Sequence, residues 1–123
     1  MSNDNIAVVY SWTAHEGKAN DLKGIYEQVS KQMEETEPGA KRVSVFYDES
    51  KSKLVVYDLF ANAEALGFHL GVTAAAHFGD LLQIATPGPF LFCGEVPEDM
   101  KQAAVDMGLD ATFAPYQYGF ARS

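Results

Sequence analysis

The chain has 123 residues, 47% of them hydrophobic and 21% charged, a composition that fits one domain, 1–123, with a modest core and no space for a second. Nine Lys and Arg stand against seventeen Asp and Glu, a formal net charge of −8, and no basic cluster exists to neutralise phosphates, which argues against a nucleic-acid partner. Cys93 is the single cysteine, which excludes an internal disulfide and a cysteine-based zinc or iron–sulfur site within one chain. No apolar run reaches the roughly 20 residues of a membrane-spanning helix. The first residues also lack the basic and apolar regions of a secretion signal, so the expected location is cytoplasmic.

Residues 6–14 form the first predicted strand, with Ala7, Val9 and Ser11 on one face and Val8, Tyr10 and Trp12 on the other. Both faces begin apolar, so both are expected to be covered. His15-Glu16-Gly17 turns the chain. Residues 18–35 form the clearest helix. Leu22, Ile25, Tyr26, Val29 and Met33 recur at three- and four-residue steps as one apolar stripe, as in a helix lying on a sheet. Pro38 and Gly39 end it.

The second strand, 42–48, sets Val43, Val45 and Tyr47 against Ser44, Phe46 and Asp48. A polar turn at 48–52 leads to the third strand, 53–60, and so short a connection makes the two antiparallel neighbours. Asn62 is placed to cap the next helix, with Glu64 in its first turn. Gly67 and Gly71 weaken this helix, which predicts a kink near Gly71 and a second segment to about residue 85. After Pro87-Gly88-Pro89 comes the fourth strand, 90–96, with Cys93 read as a small core residue. Pro97, Glu98 and Asp99 open a short helix whose apolar face is Met100, Ala103, Ala104 and Met107, and Gly108 stops it. Residues 113–120, rich in aromatics, read as extended, and Pro115 keeps them out of a central strand.

The fold class is therefore α+β: a ferredoxin-like β-α-β-β-α-β antiparallel sheet over about residues 5–96, with a C-terminal helix and strand extension over about 97–123. Both core helices cover one face of the sheet. The other face carries too many apolar residues to remain in water, so a homodimer through the sheet face is expected.

Two histidines, His69 and His77, fall on the second helical region. Eight residues at about 100° per residue end about 80° past two full turns, so on a straight helix the rings point to neighbouring faces. Combined with Asp58 or Asp80 they match no strong metal motif, and no metal is assigned.

The element order, the turn His15-Glu16-Gly17, Glu37-Pro38-Gly39-Ala40, and the stretch Asp58, Phe60, Asn62, Ala65-Leu66 and His69, followed by His77-Phe78, together resemble the antibiotic biosynthesis monooxygenase family. The resemblance covers about residues 5–96. Asp58 stands where the family usually has Glu, and the interval between the histidines is longer than usual. Haem-degrading relatives use an Asn on strand one and a Trp on helix two, and neither is present here. The resemblance implies a dimeric α/β barrel with a pocket between sheet and helices. It further implies oxygenation of a small electron-rich aromatic, quinol-like or anthrone-like, without metal, flavin or other cofactor. Such chemistry needs a base, oxyanion-stabilising donors and a pocket that excludes water.

His69 and His77 are the candidate catalytic groups, because an imidazole exchanges protons near neutrality. Asn62, Trp12, Tyr47, Tyr57 and Phe60 are the candidate substrate-binding residues. Each has a plainer role beside the functional one: a structural hydrogen bond for the histidines, a helix cap for Asn62, core or interface packing for the aromatics. The alternative to an enzyme is a non-catalytic dimeric small-molecule-binding or stress-related protein on the same fold. A closed apolar pocket holding the histidines favours the enzyme. Satisfied rings and no cavity favour the scaffold.

Overall fold

The structure, a computed structural model, describes residues 4–122. Its sheet is built from β1 (Ile6–Ala14), β2 (Ala40–Asp48), β3 (Lys53–Phe60), β4 (Ala85–Pro87), β5 (Phe90–Cys93) and β6 (Ala111–Ala114). The strand order is β2-β3-β1-β5-β6, with β4 also paired to β1. The predicted β-α-β-β-α-β ferredoxin-like order is the one observed, and the sheet is open.

One register governs the site. Antiparallel pairing sets Tyr10 opposite Val56 and Val8 opposite Asp58, and Val8 opposite Phe92. Alternation then turns Val8, Tyr10, Trp12, Val56, Asp58, Phe60 and Phe92 to one face. Against that face lies α1 (Ala19–Thr36), which buries Leu22, Tyr26, Val29 and Met33. The predicted stripe thus packs as expected, with Ile25 only partly buried. Each large apolar side chain so buried contributes roughly 1.5–3 kcal/mol before chain entropy is subtracted.

The second helical region starts at α2 (Ala63–Phe68), and Asn62 caps it by accepting a hydrogen bond from Ala65 N at 2.9 Å. A π-turn (His69–Ala74) follows, then α3 (Ala75–Ile84). The break expected near Gly71 is therefore a widened turn rather than a kink. A π-turn bonds i to i+5 and advances less than 100° per residue. His69, Thr73 and His77 come to one side of the helix as a result, where a straight helix would splay the two rings apart.

Three other sequence expectations change. The first strand is buried on one face only: Ala7, Val9 and Ser11 are half-exposed while Ile6, Val8, Tyr10 and Trp12 are buried. Cys93 is half-buried and pairs opposite Ala7, on the outer face rather than in the core. The terminal strand is β6, at Ala111–Ala114, which takes in only the first two residues of the aromatic run, and it pairs parallel to β5. Its cause is α4 (Glu98–Asp106), which makes a β-α-β crossover and returns the chain in the same direction. Gly108, at φ 79°, supplies the left-handed residue that ends α4. Among the described residues, no helix is long and apolar enough to cross a membrane.

Candidate active site

Between the inner sheet face and the helices lies a cavity lined by Tyr10, Trp12, Asp58, Phe60, His69 and His77 among others, with about 50 Å³ of room for the centre of a water-sized sphere. The C-terminal extension takes part in enclosing it, because Met107 and Leu109 reach its wall. Two chains of hydrogen bonds bound it.

The first runs through the sheet side. Trp12 Nε1–H donates to the Tyr26 oxygen at 2.9 Å, the Tyr26 hydroxyl donates to the Tyr10 oxygen at 3.2 Å, and the Tyr10 hydroxyl donates to Asp58 Oδ2 at 3.1 Å. An indole N–H only donates, so the chain has one direction and ends on Asp58. Asp58 is 1% exposed. Burial pushes its carboxyl up to about 6, against the charge of His69 and the Tyr10 hydrogen bond, with Glu37 adding to the rise. Burial also raises Tyr10 and Tyr26 well above the ordinary phenol value, so both stay neutral donors.

The second chain runs through the helices. His77 Nε2 lies 2.9 Å from Gln32 Oε1, Gln32 Nε2 donates to Thr73 Oγ1 at 3.4 Å, and the Thr73 hydroxyl donates to Glu37 Oε2 at 2.5 Å. His69 Nδ1 meets the same Glu37 oxygen at 3.1 Å. Against a carboxylate and an amide oxygen, His69 Nδ1 and His77 Nε2 are the donors. Burial raises the Glu37 carboxyl, but the hydrogen bonds from His69 and Thr73 and the His69 charge outweigh it and hold Glu37 below the ordinary carboxylate value.

Local sequence explains both carboxylates. Asp58 occupies an inward position of β3, in step with Leu54, Val56 and Phe60, all buried. Glu37 precedes Pro38, which pushes the preceding residue out of helical geometry, here to φ −123° and ψ 76°. Gly39 makes the turn fit: a Cβ there would sit 2.5 Å from Ala65 Cβ, so the exit of α1 presses directly onto α2.

Of the residues singled out from sequence, the cavity brings together His69, His77, Trp12 and Phe60. Phe60 lies 5.2 Å from the His69 ring. The other three lie elsewhere. Tyr57 is on the opposite sheet face, under the Arg42 guanidinium at 5.8 Å. Tyr47 packs by α1, with Lys23 Nζ 4.2 Å from its ring. Asn62 is exposed and occupied as the helix cap. Strand parity takes Tyr57 off the cavity wall, and position along the fold takes Tyr47 and Asn62 off it. Glu37, Thr73, Gln32 and Tyr26 also belong to the site, and of these the sequence pattern singles out only Tyr26, as part of the apolar stripe of α1. Among the described residues, no three His, Cys, Asp or Glu side chains converge as metal ligands.

No family profile matches the sequence, and no curated protein matches it closely. Solved structures do. A protein from Caulobacter crescentus CB15 assigned as an antibiotic biosynthesis monooxygenase superposes at TM-score 0.68 with 18% identity, over 77% of this chain and 92% of that one. The fold is that of the antibiotic biosynthesis monooxygenases. SnoaB, a cofactor-independent oxygenase from Streptomyces nogalater, shares it in its N63A form at TM-score 0.63 and 16% identity, over 72% and 90% of the two chains. MupZ from Pseudomonas fluorescens matches at TM-score 0.82 and 15% identity, over 99% of this chain and 92% of its own. A match of that extent takes in α4 and β6.

Proposed function

We propose that the protein is a cofactor-independent monooxygenase acting on a small electron-rich aromatic compound, quinol-like or anthrone-like. The observation that carries this is the cavity: apolar, partly open, and lined by Asp58, His69 and His77, side chains of the types that exchange protons. In this reading His69 is the base. Glu37 holds its Nδ1, as a carboxylate orients an imidazole in acyl-transfer triads, and leaves Nε2 to take the proton. His77, held through Gln32, supports the developing oxyanion.

For an anthrone-like substrate the balance is simple. A ring CH₂ loses a proton to His69, and the carbanion transfers an electron to O₂. The radical pair then combines to form the C–O bond of a hydroperoxide, and loss of the second C–H proton breaks its O–O bond, leaving a carbonyl and one water. A water-excluding cavity protects the carbanion meanwhile.

The likeness to a cofactor-independent oxygenase supports the reading at the level of fold. A homodimer through the outer sheet face, in the cytoplasm, belongs to the same proposal. Phe46 and Leu91, 58% and 39% exposed on that face, support it. A non-catalytic binding protein is the second reading. It is favoured by one fact: each histidine already has one ring nitrogen satisfied.

The test is oxygen uptake by metal-free protein with a panel of hydroquinols and anthrones, beside His69→Ala and His77→Ala. Turnover that falls at least tenfold in His69→Ala is expected, about 1.4 kcal/mol of transition-state stabilisation. Panel compounds that raise thermal stability without oxygen uptake would move the assignment to the binding protein. Light scattering tests the dimer, and a monomer at micromolar concentration contradicts it.

A further inference from the structure

We propose that Asp58 is a further catalytic residue, and that the substrate is an uncharged, mainly apolar molecule presenting a hydroxyl to Asp58 Oδ1. The proposal rests on reading the cavity as a substrate site and adds to it a recognition rule.

The geometry has three parts. Asp58 lines the cavity at 1% exposure, and its Oδ1, also buried, has no hydrogen-bond partner among the described residues. A buried carboxylate oxygen left unpaired is costly, and a donor brought by a ligand relieves that cost. Second, Oδ2 is already engaged by Tyr10, and the chain behind it ends on the Trp12 indole, which cannot accept a proton. The chain therefore fixes the carboxylate and leads no proton away. Proton exchange at Asp58 is confined to Oδ1, the carboxylate oxygen that no described protein group engages. Third, the cavity lining includes no Lys or Arg, and a second buried carboxylate, Glu37, stands behind His69. An anionic substrate would be desolvated without a fixed countercharge. An ammonium would bring three donors to a cavity where Oδ1 is the unpartnered carboxylate oxygen. A neutral hydroxyl brings one donor to that acceptor.

The step is a single proton transfer. The substrate O–H bond breaks, an Asp58 Oδ1–H bond forms, and the electron pair of the O–H bond stays on the substrate oxygen. The resulting aryloxide or enolate is the more reducing form. The titratable groups around Asp58 are Tyr10 from β1, Tyr26 from α1, Glu37 at the α1 exit and His69 on the π-turn, with His77 farther along the same wall. From β5 the neighbours are Phe90 and Phe92, which carry no charge. A carboxyl pushed up to about 6 is ionised at neutral pH and exchanges its proton readily there.

The experiment is calorimetric titration of the full chain with 2-naphthol, 2-methoxynaphthalene, 2-naphthoate and 2-naphthylmethylamine between pH 5 and 7.5. The expected result is that 2-naphthol binds at least tenfold tighter than the other three at pH 7.5 and weakens at least fivefold by pH 5, while the methyl ether shows no pH dependence. In Asp58→Asn the pH dependence of naphthol binding disappears. Tyr10→Phe retains that dependence with its midpoint moved upward, a readout that stands if the Asn variant does not fold. Equal affinity for naphthol and its ether, an unchanged pH profile in Asp58→Asn, or no binding by any of the four overturns the proposal. Failure of the oxygenase reading looks different: naphthol selectivity persists and oxygen uptake is absent.

Discussion

Two buried carboxylates belong to the candidate site, Asp58 on the cavity wall and Glu37 behind His69, and the fold treats them in opposite ways. Glu37 receives two donors on one oxygen, from His69 and Thr73, and is held below its ordinary value. Asp58 receives one phenol and is pushed up to about 6. Both are nearly inaccessible to solvent, at 4% and 1% exposure. Asp58 lies deeper under protein atoms, and burial dominates its rise, while the donors and the imidazole on Glu37 outweigh a smaller burial cost there. Groups driven apart in this way take different roles: one a fixed anion that orients a histidine, the other a switchable acid.

The largest expected effect comes from breaking the fixed anion. Glu37→Ala leaves His69 and Thr73 without their acceptor, and unfolding in urea at pH 7 should show a loss of about 4 kcal/mol. The sign with pH follows from the lowered carboxyl of Glu37. Its contribution is present above the unfolded value of 4.5 and fades as pH falls through the lower folded value, so the difference between wild type and Glu37→Gln should shrink as pH falls below 4.5.

Asp58 behaves in the reverse sense. Raising a carboxyl from 3.8 to about 6 corresponds to about 3 kcal/mol against folding once both states are ionised. That cost is absent below the unfolded value and grows as pH rises through about 6. Asp58→Asn should therefore match or exceed wild-type stability at pH 8, by up to about 2 kcal/mol after the weaker bond from Tyr10 is counted, and lose that advantage at pH 4. Thermal unfolding at the two pH values measures it. A variant that is more stable yet inactive is the mark of a carboxylate kept for chemistry.

Sheet and helices differ in how far the sequence alone reveals them. The alternation of β1 and β3 and the stripe of α1 place Trp12, Phe60 and Asp58 on the inner face by parity. The π-turn is different. Gly67 and Gly71 signal only that the helix weakens, and no local pattern says that it widens rather than kinks. The shared face of His69, Thr73 and His77 follows from that widening, so it was not readable. Glu37 was hidden for another reason. As a charged residue beside Pro38 it reads as a helix stop, and its burial depends on the close approach of Gly39 to Ala65. Tyr57 and Tyr47 show the limit of composition: aromatics on strands pack wherever the sheet has a face.

Smaller substitutions sharpen the contrast. Tyr10→Phe removes the one donor that Asp58 has. Its carboxyl should titrate higher than about 6, with a stability change at pH 7 near 1.5 kcal/mol. Asn62→Ala should lose about 1 kcal/mol of helix capping and leave ligand binding unchanged, because the side chain serves α2 and lies outside the cavity.

The most direct test of the central claim is a carbon-13 NMR titration of the side-chain carboxyls in the intact protein, with Asp58 and Glu37 assigned through their Asn and Gln variants. The account predicts Asp58 titrating at about 6 and Glu37 below 4.5, each moving alone. Two carboxyls titrating together at ordinary values would contradict it, since neither the fixed anion nor the switchable acid would then exist.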